Sequence, residues 1–154
     1  MTMINKSALV PYSAKQMFDL VDDIDAYPEF LPGCCKTETS NRTEESVDGV
    51  MYLTKGGIKL ELGTHNEMIT NEEIKLRLIK GPFKRLTGIW TFSQLREDAC
   101  KVSLKMEFEF SSKILSLALG VLFNQLANNM LDAFCKRAKQ VYKSDGEVLS
   151  LIHI

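Results

Sequence analysis

The sequence predicts an α+β fold: a curved antiparallel sheet of about seven strands wrapped around one long C-terminal helix, with two short helices after the first strand. Three observations predict it. Apolar residues recur with period two through most of residues 34–110. Turn signals interrupt that pattern at 56–57, 70–72, 81–82 and 96–98, and a helical period returns only after residue 112. Strands joined by connections this short pair as an antiparallel meander.

Residues 3–11 read as the first strand, on a loose alternation of Ile4, Ala8 and Val10 with Asn5, Ser7 and Leu9. Ser13-Ala14-Lys15-Gln16 has the form of a capping box, and Met17, Leu20, Val21 and Ile24 follow at helical spacing, which predicts a helix over 14–23. Residues 25–33 predict a second helix of one to two turns, with Asp25 as its cap, Pro28 in its first turn and Pro32-Gly33 as its stop. Strands follow at about 36–43 and 47–54; the first of these is almost wholly polar and suits a sheet edge. Ile58, Leu60 and Leu62 share an inner face, as do Ile74, Leu76 and Leu78, and then Leu86, Gly88, Trp90 and Phe92. The last strand alternates most cleanly: Cys100, Val102, Leu104, Met106, Phe108 and Phe110 face one way, and Lys101, Ser103, Lys105, Glu107 and Glu109 the other. From residue 112, Phe123, Ala127, Met130, Phe134 and Ala138 form one stripe, widened by Leu126, Leu131 and Val141, in a helix of about thirty residues that ends near Lys143. One domain over 1–143 is expected, and 144–154 read as a poorly ordered tail or a short tail strand around Leu149 and Ile152.

Bulk properties narrow the function. At 154 residues with a formal net charge of -1, whole-protein charge makes no case for DNA or other nucleic acid. The N-terminus lacks the long apolar run of a signal peptide, and the most apolar stretch, 114–123, is too short to span a bilayer, so a cytoplasmic location is expected. Cys34, Cys35, Cys100 and Cys135 match neither a CxxC nor a zinc-finger spacing and are expected as reduced thiols. His65 and His153 are the only imidazoles, and no metal site is expected. Glu107 and Glu109 fall on the outer face, and so does His65, so no acid–base pair is expected inside and no catalytic residue is assigned.

Geometry points to the inside of the sheet. Seven strands at about 4.8 Å make a sheet roughly 30 Å wide, whereas a helix is about 10–12 Å across. The sheet must therefore curl around the helix and use the short helices as a lid. Such a fold either leaves an apolar pocket or fills the space with its own side chains, and periodicity does not choose between them.

Three segments carry a resemblance: Val10-Pro11-Tyr12-Ser13-Ala14-Lys15-Gln16-Met17-Phe18, Tyr27-Pro28-Glu29-Phe30-Leu31-Pro32-Gly33-Cys34, and Gly81-Pro82-Phe83-Lys84-Arg85-Leu86-Thr87-Gly88-Ile89-Trp90-Thr91-Phe92. With the strand end Phe108-Glu109-Phe110 and the helix residues Ala127-Asn128-Asn129-Met130 and Arg137-Ala138-Lys139, they make residues 3–143 similar to the coenzyme Q-binding START-like family. The resemblance implies a helix-grip fold with a hydrophobic tunnel, ubiquinone or a related lipid as ligand with no required cofactor, and a non-enzymatic carrier or chaperone role in support of respiration. One branch of the family is associated instead with binding the large ribosomal subunit and blocking subunit joining, which is the alternative. Tunnel-lining residues are then expected at Phe18, Tyr27, Phe30, Leu31, Trp90, Phe92, Met106, Phe108, Phe110, Met130 and Phe134. Trp90 either stacks on a quinone or is plain core. Lys136, Arg137, Lys139 and Lys143 either complement the helix dipole or meet ribosomal RNA or anionic lipid. The all-round apolar stretch from Ile114 to Phe123 either is buried or touches a membrane surface or partner.

Overall fold

The computed structural model describes residues 1–142, so Lys143 and the expected tail over 144–154 lie outside the described residues. The elements run β1 (Thr2–Val10), α1 (Ala14–Asp22), a 3₁₀ helix (Ile24–Glu29), β2 (Cys34–Ser40), β3 (Ser46–Lys55), β4 (Ile58–Ile69), β5 (Glu73–Lys80), β6 (Phe83–Arg96), β7 (Ala99–Phe110) and α2 (Lys113–Val141). The seven strands form one sheet in the order β1-β7-β6-β5-β4-β3-β2, every pair antiparallel. β2 to β7 are a meander, while β1 pairs with β7 at the far edge. The connection from β1 to β2 must therefore cross the whole sheet, and it carries α1 and the 3₁₀ helix over the concave side.

Sequence dictates the local geometry where it was expected to. In β7, Cys100, Val102, Leu104, Met106 and Phe108 are buried on the face that packs against α1 and α2, and Lys101, Lys105 and Glu107 are exposed. β1 lies on it in register, with Ile4 opposite Met106 and Val10 opposite Cys100. The capping box of α1 is complete: Ser13 Oγ accepts from the Gln16 amide at 3.1 Å and Gln16 Oε1 accepts from the Ser13 amide at 2.9 Å. Polar β2 is the edge strand opposite β1. The β3–β4 hairpin turns on Gly56 (φ 57°) and Gly57 (φ 84°), two consecutive left-handed residues of the kind that fit the strands' own twist.

Three expectations need correction. The second helix is a 3₁₀ helix that starts at Ile24, and Asp25 does not cap it; its carboxylate accepts from Thr39 Oγ1 at 3.1 Å and ties the helix to β2 instead. The early start follows from Ile24 being drawn into the core, where Gly49 leaves room: a Cβ on Gly49 would meet Ile24 Cδ1 at 3.0 Å. Pro28 consequently sits late in the helix, and the chain turns on the Phe30 and Leu31 amides, both donating to the Tyr27 carbonyl (3.2 and 2.9 Å). Ile58 leaves its expected inner position and is exposed, because the β3–β4 hairpin tip runs past the packed layer. The strand expected over 36–43 begins at Cys34 and stops at Ser40, where Asn41 takes a positive φ of 52°.

Candidate functional site: the gripped interior and its lid

The concave face and α2 enclose one continuous apolar core. Its aromatic residues fall into two groups. Around α2's second half, Phe134 meets Tyr27, Phe30 and Trp90 edge-on at centroid distances of 5.3, 5.1 and 5.3 Å. Around its first half, Phe123 meets Phe83, Phe108 and Phe110 at 4.9, 4.8 and 6.2 Å. Edge-to-face pairs of this sort fix ring orientations as well as burying area. Phe18 of α1 packs edge-on against Phe92 at 5.6 Å.

Between the groups lies a cavity of about 40 Å³, lined among others by Ile24, Tyr27, Thr64, Asn66, Trp90 and Met130. Ligand pockets usually run to roughly 300–1,000 Å³, and even a benzene-sized cavity is about 150 Å³. The interior of this state is thus filled by its own side chains and holds no ring-sized space. Of the eleven residues expected to line a tunnel, Tyr27, Trp90, Met106 and Met130 border this cavity. Phe18, Phe30, Phe92, Phe108 and Phe134 pack around it, Phe110 is half-buried at the end of the sheet, and Leu31 borders a separate cleft of about 320 Å³ between the Pro32-Gly33 bend, Lys55 and the Leu122–Asn129 turn of α2.

The sequence reading missed the polar element of the interior. Thr64 Oγ1 donates to Asn66 Oδ1 at 2.8 Å, and Asn66 is the one buried polar residue among the described residues. The signal was present, since the alternation that sends His65 outward sends Thr64 and Asn66 inward. His65 does face out, with Nδ1 2.6 Å from Asp48 Oδ1. Tyr27's phenol donates to the Val21 carbonyl, and burial pushes its pKa well above the ordinary tyrosine range, so it stays neutral.

The lid is latched to α2 from outside. Arg137 Nη2 lies 3.3 Å from Glu29 Oε1, and the guanidinium sits 5.1 Å from the centre of the Phe30 ring. Arg137 was grouped by sequence with a basic helix end, but its carboxylate and ring partners both belong to the 3₁₀ helix and the residue that follows it. Lys136 pairs with Asp132 at 3.1 Å, which leaves Lys139 as the cation of that group with no carboxylate partner among the described residues. The stretch from Ile114 to Phe123 divides: Leu122 and Phe123 are buried, and Ile114, Leu117 and Val121 are open to solvent.

Comparison with known proteins agrees with this architecture. A family model described as polyketide cyclase/dehydrase and lipid transport matches residues 10–135. The ribosome association toxin RatA of Vibrio cholerae is 47% identical over 142 residues, spanning 92% of this chain and 99% of the toxin. The mitochondrial coenzyme Q-binding protein coq10 of Schizosaccharomyces pombe is 23% identical over 150 residues, spanning 92% and 89%. Among solved structures, the Zhui aromatase/cyclase of Streptomyces sp. R1128 superposes with a TM-score of 0.77 at 13% identity, covering 90% of this chain and 94% of that one. A START superfamily protein of Mycobacterium smegmatis superposes at 0.75 with 18% identity, covering 90% and 98%. At such identities the two structures speak for the fold alone. The model match over most of the chain and the near full-length identity to RatA place the protein: it belongs to the polyketide cyclase/dehydrase and lipid transport family, among the relatives of RatA.

Proposed function

We propose that this chain associates with the large ribosomal subunit and hinders its joining to the small one, acting through its surface without catalysing a reaction. The observation that carries this is the 47% identity to a ribosome association toxin along nearly the whole of both chains. The packed interior supports it: a cavity of about 40 Å³ leaves little for the inside to do in this state. No carboxylate, imidazole or amine is among the buried residues of the described chain, and burial raises the pKa of the Tyr27 phenol and of the Cys34 and Cys100 thiols, keeping them neutral, which favours binding over catalysis. Sucrose-gradient sedimentation of bacterial lysate with added protein tests it. The protein should travel with the large subunit and deplete joined ribosomes; a protein that stays at the top of the gradient at low salt refutes it.

A second reading, carriage of ubiquinone or a similar lipid, is favoured by the cavity's composition. Tyr27, Trp90, Met106 and Met130 give it apolar walls, Thr64 and Asn66 give it one polar spot, and a coenzyme Q-binding protein is a more distant relative. Uptake would require the 3₁₀ helix to swing away from α2, breaking the Arg137 latch. Organic extraction of purified protein followed by mass spectrometry should recover a quinone; protein that is empty and takes up none when offered it refutes this reading.

A further inference from the structure

We propose that the first half of α2 docks the protein onto an anionic lipid surface, lying in the plane of the headgroups. Ile114, Leu117 and Val121 are 78%, 84% and 69% exposed and recur at helical spacing on one face. Three large apolar side chains in two turns of one helix form a patch that water does not favour. Ile58, at the tip of the β3–β4 hairpin, is also exposed. That hairpin reaches the same end of the molecule: Lys55 Nζ donates to Gln125 Oε1 of α2 at 2.6 Å. The β5–β6 turn reaches it too, through the Ser111 amide, which donates to the Pro82 carbonyl at 3.0 Å.

Charge decides the occupant. No acidic residue occurs in α2 before Asp132. Lys80 and Lys84 at the β5–β6 turn are matched by Glu61 and Glu109. Lys55, Lys59 and Lys113 have no carboxylate partner among the described residues; Lys113 opens α2 next to Ile114, and Lys55 and Lys59 sit on either side of the hairpin tip that carries Ile58. An apolar stripe edged with lysine is the pattern of a helix that lies in an anionic interface. A second copy would bring the same lysines against each other, and RNA phosphates would leave the apolar stripe uncovered. Although α2 is long and apolar enough to cross a membrane, its opposite face is locked into the core through Phe123, Ala127 and Phe134, so it lies on the bilayer and does not span it. The polar residues Gln125 and Asn128 end the stripe after two turns. This docking is independent of the ribosome reading.

Vesicle flotation with the full chain tests it. The protein should float with phosphatidylcholine vesicles containing about one third phosphatidylglycerol, and not with phosphatidylcholine alone. Raising salt to about 1 M, where screening acts within about 3 Å, should release much of it. The double variant L117E/V121E should lose about tenfold in binding, with its melting curve unchanged because both sites are exposed. Any of these results would overturn the proposal: no flotation of the wild-type protein on anionic vesicles; equal flotation on neutral ones, a comparison that needs no variant; a double variant that floats like wild type; or a wild-type dimer that L117E/V121E splits, or ribosome sedimentation that it abolishes, while vesicles are ignored.

Discussion

Met130 is the side chain whose truncation should convert a filled interior into a ligand pocket. It is buried, it projects from α2 toward the sheet, and it borders the cavity of about 40 Å³ with Tyr27 and Trp90. Met130→Ala removes a buried side chain without adding charge, so the expected loss is about 2–5 kcal/mol, the upper end applying if the neighbours do not collapse. A chain of this size loses roughly 2–4 °C of melting temperature per kcal/mol, so Tm should fall by roughly 4–20 °C while the fold survives a stability of about 5–15 kcal/mol. The truncation removes three heavy atoms, so the enlarged cavity joins the existing one and grows toward the benzene-sized class. Benzene should then restore part of the lost Tm in the variant, and at about 100 times its Kd it recovers about 2.7 kcal/mol. The assay is thermal denaturation of both proteins with and without benzene. Unchanged stability in Met130→Ala, or a wild-type protein that benzene stabilises as much as it does the variant, would mean that the interior is not closed by its own side chains.

Other outcomes follow from single contacts. Ser13→Ala removes the half of the capping box in which Ser13 Oγ accepts from the Gln16 amide and should cost about 1 kcal/mol in urea denaturation, while Gln16→Ala removes the other half, the acceptor of the Ser13 amide, and should also destabilise. Trp90, 2% exposed and packed on Phe134, should emit blue-shifted light and resist acrylamide; emission at the solvent-exposed position would place it outside the core. Thiol titration of native protein at pH 8 should find exposed Cys35 fast and Cys34 and Cys100 protected, since burial pushes both of the latter up to about 11; fast reaction at Cys100 would contradict the β7–α2 packing. Hydrogen bonds from Asn41 and then His65 hold the Asp48 carboxyl below its ordinary value. A depressed carboxyl contributes stability that is present above the unfolded value of about 3.9 and lost as pH falls through the lower folded one, so Asn41→Ala should flatten the acid limb of stability against pH. Arg137→Ala should speed hydrogen exchange across the 3₁₀ helix by several-fold, and Arg137→Lys should restore it only in part, because lysine lacks the flat guanidinium that covers Phe30.

Period and capping were legible; volume and partner choice were not. The alternation from Cys100 to Phe110 specified β7 and its facing, because a strand's side chains have no other way to divide. The polar run that became β2 announced an edge, since a strand without an apolar face has little to gain from burial in mid-sheet. Periodicity assigns a side chain to a face and says nothing of how tightly two faces close. Trp90, Met106 and Met130 were therefore placed inward correctly, while the difference between a tunnel and 40 Å³ could not be read. The start of the 3₁₀ helix was misplaced because Ile24 is held by a gap at Gly49, a contact distant in sequence. Arg137 resembled part of a basic helix end because its partners, Glu29 and Phe30, lie more than a hundred residues away.

Purified ribosomal subunits mixed with the protein and followed by light scattering test the surface-association account most directly. The protein should bind the isolated large subunit, and the scattering rise on adding small subunits should be suppressed as the protein approaches one copy per large subunit. The same suppression should occur with protein first extracted free of lipid, since a filled interior leaves the surface to act. Subunits that join at an unchanged rate and extent with the protein in excess would contradict it.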